Sequence, residues 1–400
     1  MPKILQINVT VNWGSTGKIA EQIGQSVLSQ NWESYVVYGR MSNPSRSKLL
    51  KIGNVVDVYE HYIENLFLDN EGLASRRATR NLLREIDKIS PDIIHLHNIH
   101  DHYLNYRYLF RYLIEKRIPV VWTQHDQWAA TGHCMYTPID CEKWKRECSD
   151  CPLSSWFSID NSRRNYQLKK NLISAVPSLT IVAVSNWLAE KMRESHLKNL
   201  PIHVIHNGID INLFSPKPSN ICEKLGVDSS KSIILGVAAV WDERKGLNDF
   251  IRLSTILPAD DYVIVIIGRV ASKTKAPYGA CKMIFCDQTQ NVNELAQLYS
   301  AAFVFVNPTY QDNYPTTNLE SLACGTPVVT YRTGGSPEAV DEKTGVVVDQ
   351  GDVEALAEAI LSLKTRPLSR EDCRKRAEMY FDKAVCFNEY IELYESLLSK

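Results

Sequence analysis

No stretch of the 400-residue chain reaches the roughly 18 consecutive apolar residues of a membrane-spanning helix. The first residues, M-P-K-I-L-Q-I-N-V, lack the cationic start, long apolar region and small-residue cleavage site of an export signal, and read as a short strand entering the fold. Both absences set the expectation of a cytoplasmic protein. Neither charge sign is in excess: 45 Lys and Arg stand against 46 Asp and Glu, so any attraction to nucleic acid is local rather than global. Low-complexity segments and short-period repeats are absent. The nicotinamide-binding fingerprint G-x-G-x-x-G is missing too. The loop after the first strand is W-G-S-T-G-K, and the second strand ends in Gly39-Arg40 rather than in an acidic residue that would hold a cofactor's ribose, which counts against a dehydrogenase. Ten cysteines are present, but without an export signal they do not suggest a disulfide framework. Six of them, Cys222, Cys281, Cys286, Cys324, Cys373 and Cys386, are scattered and read as packed or surface thiols.

What is present is a globular composition, 44% hydrophobic and 23% charged, in a chain long enough for two cores. Short β-branched runs alternate with helical stretches. In the first half, strands are expected at Ile4–Val9, Tyr35–Tyr38, Ile93–Leu96, Val120–Thr123, Thr180–Val184 and His203–Ile205, with helices at Lys18–Gln30, Ala74–Ile89, Leu104–Lys116 and Asn186–Ser195. In the second half, strands are expected at Ile233–Ala239, Tyr262–Ile267, Phe303–Asn307, Pro327–Tyr331 and Gly345–Val348. Helices are expected there at Leu247–Leu257, Asn293–Ser300, Asn318–Ala323 and Val353–Leu363, followed by one amphipathic stretch, Glu371–Leu398. Such alternation means parallel sheets covered on both faces, here as two doubly wound domains. Their expected bounds are 1–206 and 207–385, joined at His206-Asn207-Gly208-Ile209-Asp210, with residues 386–400 a C-terminal helix packing back on the first domain. Ligands of doubly wound sheets bind beyond the carboxyl ends of the strands, so the site is expected in the cleft where the two domains face each other.

The most informative segment is D-N-Y-P-T-T-N-L-E-S-L-A-C-G-T-P-V-V at 312–329. Asp312 and Glu320 flank Pro315 and a Thr316-Thr317-Asn318 run suited to opening a helix. A helix N-terminus binds phosphate through unpaired N–H groups and its dipole, and nearby carboxylates accept bonds from sugar hydroxyls. W-D-E-R-K-G at 241–246 places Arg244 and Lys245 before another helix, where two cations neutralise the charge growing on a departing diphosphate. Gly14, Ser15, Thr16 and Gly17 form a strand-to-helix turn in which the backbone approaches a ligand closely.

Together these pieces resemble the retaining glycosyltransferases of sequence family four, which have the GT-B architecture of two Rossmann-like domains facing a central cleft. The resemblance rests on the 14–17 loop, D-I-I-H-L-H at 92–97, Thr123-Gln124-His125-Asp126, S-N-W at 185–187, H-N-G-I-D with Phe214 and Pro216, Lys245-Gly246, the 312–320 segment, Ala323–Val328, and Gly334-Gly335-Ser336-Pro337-Glu338. It implies that Glu320 holds the ribose hydroxyls and Asp312 lies at the donor sugar. The backbone through Asn313, Tyr314, Pro315, Thr316 and Thr317 cradles the sugar and diphosphate, Lys245 binds the phosphates, and His125 sits near the reactive carbon on the acceptor side. Two departures stand out. Aspartate replaces the family's glutamate at 312, and the arginine expected six residues before the lysine is Ala239, with Arg244 as its substitute. The implied reaction is attack by an acceptor hydroxyl on the face the diphosphate leaves, with retention and without an obligatory metal or cofactor. The D-x-D metal motif of the other major transferase architecture is absent.

Residues 132–152 form a cysteine-rich insert in the first domain, with Cys134, Cys141, Cys148 and Cys151 separated by six, six and two residues. A terminal C-x-x-C with two further thiols fits a structural zinc site. His95 and His97 share one face of a strand end and read as packed or site-lining rather than as metal ligands. W-T-Q-H-D-Q-W-A-A-T-G-H-C, with C-P after it, resembles bacterial enzymes of capsular, exopolysaccharide or colanic-acid-type assembly, which implies a nucleotide-diphosphate sugar donor and a glycan or lipid-linked oligosaccharide acceptor. Arg76, Arg77, Arg80 and Arg84 cluster on one helix, and Arg107, Arg111, Lys116 and Arg117 interleave with tyrosines on another. Basic and aromatic side chains together suit peripheral contact with the inner face of an anionic membrane. No nucleic-acid module is recognised. Two other readings fit the same architecture: a nucleotide-sugar epimerase, and a non-catalytic scaffold, the latter motivated by Asp312 and Ala239.

Overall fold

The computed structural model of the protein describes residues 1–138, 140–154, 159–270, 279–287, 289 and 291–399, with the side chain of Cys222 outside that description. The reading of Cys222 as a packed or surface thiol, and the last residue of the expected C-terminal helix, Lys400, therefore fall outside the described residues. The chain divides into an N-terminal unit, Met1–His206 with Phe387–Lys400, and a C-terminal unit, Asn207–Cys386.

The N-terminal unit is built on seven parallel strands: β1 (Lys3–Ile7), β2 (Glu33–Tyr38), β3 (Lys48–Lys51), β4 (Ile93–Leu96), β5 (Val120–Gln124), β6 (Leu179–Ala183) and β7 (Ile202–Val204). They lie in the order β3-β2-β1-β4-β5-β6-β7. The central strands β4, β5 and β6 are buried at every position, which is why they read as unbroken apolar runs. The order reverses between β1 and β4, so the loops leaving these strands open the crevice where doubly wound sheets take ligands.

The C-terminal unit has six parallel strands, β8 (Ser232–Trp241), β9 (Tyr262–Val270), β10 (Met283–Cys286), β11 (Val304–Asn307), β12 (Val328–Tyr331) and β13 (Gly345–Val348), in the order β10-β9-β8-β11-β12-β13. Ile234, Ile264, Val304 and Val329 from the sheet pack with Phe250, Leu356 and Ile360 from covering helices. Here the reversal falls between β8 and β11.

Several expectations need correction. The edge strands β3 and β10 were not anticipated. Lys48 and Lys51 flank only two leucines, and edge positions are mostly exposed, so the apolar pattern is weak. The helices Val55–Leu68 and Ser162–Ser174 are likewise additional. The first begins at a capping box in which Asn54 Oδ1 accepts from the Val56 and Asp57 amides while Asp57 Oδ2 accepts from the Asn54 amide. The expected continuous stretch 371–398 is two helices, Arg370–Tyr380 and Lys383–Leu398. It breaks because Ile209 pairs with the chain there, its amide donating to Phe381 O (2.8 Å) and its carbonyl accepting from the Lys383 amide (2.9 Å). The chain then rejoins the N-terminal unit, where Tyr390 and Tyr394 are buried. The Tyr394 hydroxyl lies 2.6 Å from His95 Nδ1, and the Tyr390 hydroxyl lies 3.0 Å from Thr123 Oγ1.

Candidate active site

Beyond β8, Asp242 Oδ1 accepts from the Lys245 amide at 3.0 Å and closes a single 3-10 turn, Glu243–Lys245. Gly246 follows at φ +75°, and a Cβ there would overlap the Pro308 carbonyl oxygen. Only glycine lets the loop after β8 lie this close to the loop after β11. Arg244 completes the join. Its carbonyl accepts from the Tyr310 amide (2.8 Å), and its guanidinium donates to Gln311 O (3.0 Å). The result brings Lys245 Nζ to 2.6 Å from Asp312 Oδ2, with the two side chains 21% and 17% exposed. Two residues separated by 67 positions, each assigned to the donor from sequence, therefore form one ion pair.

Asp312 is held from the other side by the loop after β12. Gly334 has φ +54°, a Cβ there would overlap the Asp312 carbonyl oxygen, and the Gly335 amide donates to that oxygen at 3.3 Å. Asn313, Tyr314 and Pro315 are buried, and burial pushes the Tyr314 phenol well above its usual range. The helix Thr316–Ala323 starts at Pro315 without a side-chain cap, so its dipole and first-turn amides belong to the same loop as the ion pair. Thr316 and Thr317 are half-buried at its start, and Glu320 follows one turn later. Glu320 Oε2 accepts from the Tyr299 hydroxyl at 3.0 Å. Tyr299 is fully buried, and burial first, then the Glu320 carboxylate, raises its phenol well above the ordinary value.

A closed ring of buried polar groups fixes this helix start, and sequence reasoning missed it. Asn307 Nδ2 donates to Asn318 Oδ1 (2.8 Å), Asn318 Nδ2 donates to Ser336 Oγ (2.9 Å), and Ser336 Oγ lies 2.7 Å from Thr330 Oγ1, which itself donates to Asn307 O (2.9 Å). Because Thr330 spends its single proton on the carbonyl, Ser336 must donate to Thr330, and the bonds of the ring run in one direction. The ends of β11 and β12, the helix start and the Gly-Gly-Ser turn are thereby tied together.

In the N-terminal unit His125 follows β5 and His97 follows β4. Gln6 donates its amide NH2 to Ala20 O (2.9 Å), so its Oε1 accepts from His97 Nε2 (2.9 Å). Burial lowers the pKa of His97 well below the ordinary value and that of His125 to about 4, so both rings are neutral near pH 7. His97 then offers a lone pair at Nδ1, and His125 Nε2, 3.1 Å away, must be its donor. The chain from Gln6 fixes His125 with its lone pair on Nδ1. His95 uses both nitrogens on Tyr394 and Thr123. His100 lies 2.8 Å from Asp126 Oδ2. Although burial opposes its charge, Asp126 and then Glu71 raise the His100 pKa to about 9. In the glycine loop the helix Gly14–Ser29 begins at Gly14 (φ +64°), Ser15 is exposed and Thr16 half-buried. A Cβ on Gly17 would lie 2.6 Å from Thr10 Oγ1.

The cysteine insert lies in the same unit, and Cys134, Cys141, Cys148 and Cys151 all line one cavity. The tight cluster, however, comprises His133, Cys134 and Cys151, whose ligand atoms lie within 4.8 Å of one another. His133 directly precedes Cys134 and carries no C-x-x-C spacing of its own to mark it as a ligand.

Thus Lys245, Arg244, Asp312 to Thr317 and Glu320 share the loops at the β8–β11 reversal of the C-terminal unit, while Gly14–Gly17 and His125 belong to the N-terminal unit. The family model described as Glycosyltransferase Family 4 matches residues 18–213, and the one described as Glycosyl transferases group 1 matches residues 219–379. A protein of Escherichia coli (strain K12) named for colanic acid biosynthesis, the glycosyl transferase WcaC, is 23% identical over 98% of this chain and 100% of its own length. CapM of Staphylococcus aureus, named a capsular polysaccharide biosynthesis glycosyltransferase, is 26% identical over 55% of this chain and 62% of its own. Among solved structures, the sucrose-phosphate synthase of Thermosynechococcus elongatus superposes with a TM-score of 0.73 at 17% identity, covering 100% of both chains. Anabaena HepE in complex with UDP-glucose gives 0.67 at 16% identity, covering 98% of this chain and 99% of its own.

Proposed function

Since the chain belongs to the glycosyltransferases, with a Family 4 domain followed by a group 1 domain, we propose that it moves a sugar from a nucleotide-diphosphate sugar to a lipid-linked glycan, with retention, in the synthesis of a surface polysaccharide. Its fold is GT-B. The observation that carries the proposal is the Lys245–Asp312 pair, set against the uncapped start of Thr316–Ala323 and one turn from Glu320. A cation, a helix N-terminus and two carboxylates on adjoining loops suit a diphosphate flanked by two sugars, ribose and donor. HepE, of similar fold, binds UDP-glucose, and WcaC and CapM are named for polysaccharide assembly, which supports the donor class and the pathway.

In this reading Glu320, steadied by Tyr299, accepts the ribose hydroxyls. Lys245 and Arg244 meet the charge that develops as the bond between the anomeric carbon and the phosphate oxygen breaks, and the helix start adds its dipole. The acceptor oxygen bonds the anomeric carbon on the same face and passes its proton to the departing phosphate oxygen, so no protein base is required. His125, held neutral by burial, is assigned to the acceptor by the family resemblance. The positive charge for the leaving group comes from the protein, and no obligatory metal is invoked. Incubation of the enzyme with a panel of nucleotide sugars and lipid-linked oligosaccharides, with NMR assignment of the anomeric configuration, tests this. An inverted product, or an epimerised nucleotide sugar formed without acceptor, would overturn it.

A lipid-linked acceptor also requires a membrane-facing surface, and the helix Val55–Leu68 supplies one. Val55, Val56, Tyr59, Tyr62, Ile63 and Phe67 are exposed, while His61 is the residue buried among them. The Arg76–Glu64 ion pair (3.0 Å) joins this helix to Arg76–Ile89, on which Arg77, Arg80 and Arg84 are also exposed. An apolar face beside a row of arginines suits an anionic leaflet. Flotation with phosphatidylglycerol vesicles but not with phosphatidylcholine vesicles is the expected result, weakened in Ile63→Ser. No flotation with either vesicle removes this part of the proposal.

A further inference from the structure

In the cysteine insert a histidine stands among the thiols. His133 Nε2 lies 3.0 Å from Cys151 Sγ, and with Cys134 Sγ these atoms fit within 4.8 Å of one another. A tetrahedral zinc ion with Zn–N near 2.0 Å and Zn–S near 2.3 Å separates its ligand atoms by roughly 3.5–3.8 Å, so the three are already close to such a spacing. The opposite nitrogen, His133 Nδ1, is 2.9 Å from both carboxylate oxygens of Asp69. Carboxylates in this position set the tautomer and orientation of metal-bound imidazoles, leaving Nε2 for the metal. Asp69 is itself fixed: the Asn161 amide donates to its Oδ2 (3.1 Å) and Asn165 Nδ2 to its carbonyl (2.6 Å).

A fourth donor stands beside these three. Cys148 begins the C-x-x-C with Cys151, lines the same cavity and is buried. The Gly132 amide, immediately before His133, donates to Cys148 Sγ at 3.2 Å, a bond suited to a thiolate. Gly132 is required there, since a Cβ would lie 2.7 Å from Ser162 O. Among the described residues no such bond ties the Cys141 sulfur to the group, although it lines the same cavity and lies within electrostatic reach of Cys148. Nearby, the buried ammonium of Lys169 is within electrostatic reach of Cys134 and Cys148 while it donates to Trp128 O at 2.6 Å.

We propose that His133, Cys134, Cys148 and Cys151 bind one zinc ion, that Asp69 positions the imidazole, and that Cys141 is not a ligand. On binding, the ligand groups give up their protons to solvent, and three thiolates and a neutral imidazole with Zn2+ carry a net charge of −1, which faces Lys169. The ion fastens the insert to the end of the helix Val55–Leu68. The same insert is zipped onto the segment just after His125, where the Gln127 amide donates to Met135 O (2.9 Å) and Thr131 Oγ1 to Cys134 O (2.7 Å). The site thereby steadies the segment that follows the candidate active-site histidine.

Metal analysis of the full chain purified under reducing conditions tests the proposal, and about one zinc per chain is expected. Cobalt added in place of zinc should give the intense visible bands and thiolate charge-transfer absorption of a tetrahedral sulfur site. Cys141→Ser should keep the metal, whereas Cys134→Ser, Cys151→Ser and His133→Ala should lose it. In competition with a chelator, Asp69→Asn should weaken zinc affinity about 10–100-fold while leaving the stoichiometry unchanged. A native mass without metal and lighter by two hydrogens would instead indicate a disulfide and overturn the site. Loss of zinc from Cys141→Ser, or its full retention in His133→Ala, would overturn the ligand set.

Discussion

Lys245 Nζ and Asp312 Oδ2 are 2.6 Å apart, so the cation proposed to receive the donor diphosphate already holds a carboxylate. The donor must displace that carboxylate or share the lysine with it. Lys245→Ala should therefore lower kcat/KM by about 10²–10³-fold, the size of effect seen when a charge-stabilising donor is removed. Asp312→Asn should act in two directions, tightening the binding of a nucleoside diphosphate by about 1 kcal/mol as the lysine is freed while slowing sugar transfer. Calorimetry of nucleotide binding and steady-state kinetics on the same variant measure the two effects. Unchanged affinity in Asp312→Asn would mean that the pair does not compete with the ligand.

In the proposed reading Tyr299 acts on the donor through Glu320. Tyr299→Phe should cost about 1 kcal/mol of stability, the typical net worth of one hydrogen bond, and raise the donor KM more than it lowers kcat. Glu320→Ala should weaken nucleotide binding further. Combining the two changes should add little to Glu320→Ala alone, and chemical denaturation with initial-rate measurements would reveal any additivity.

The buried histidines predict a maximum of stability near neutral pH. His100 has a folded pKa of about 9, above its ordinary 6.5, so its bond to Asp126 contributes fully below about pH 6.5 and is lost as pH rises through 9. His125, with a folded pKa of about 4, and His61, at about 3, are depressed chiefly by burial. The unfolded chain takes up their protons first, and stability falls as pH drops from about 6.5 towards 4. Thermal melts from pH 4 to 9 should rise and then fall, and His100→Gln should flatten the alkaline limb while leaving the acidic limb intact.

Two glycines with similar φ should differ in cost. Gly334→Ala places a methyl group against the Asp312 carbonyl at φ +54° and should destabilise the protein by about 2–3 kcal/mol while displacing the carboxylate. Gly14→Ala, at φ +64° with nothing within 4 Å, should cost only about 1 kcal/mol. Denaturant midpoints of the two variants provide the comparison.

The sequence made the architecture legible where burial was two-sided. β4, β5, β6 and β11 are buried throughout, and their apolar runs could be placed within a residue or so. Edge strands such as β3 carry no such pattern, because lysines and solvent replace the neighbouring strand. The 312–320 segment was readable because its acids, proline and helix start are contiguous. The partners that hold it were not: Tyr299, Asn307, Thr330 and Ser336 are brought together by strand register, which spacing along the chain does not reveal. Asp69 stands 64 residues before His133, and only the fold makes them neighbours. The break at Phe381 depends on pairing with Ile209, again a contact without a local signal.

The tyrosines at 390 and 394 also constrain the order in which the protein can be made. They complete a polar core around His95 and Thr123 that belongs to the N-terminal unit, yet they follow the whole of residues 207–386 in translation order. At about 5–20 residues per second, that unit emerges from the ribosome roughly 10–40 s before its last buried side chains do. Through this interval the imidazole of His95 and the hydroxyl of Thr123 have only each other or water as partners. The polar core of the nascent N-terminal unit therefore stays incomplete until the helix carrying Tyr390 and Tyr394 is delivered.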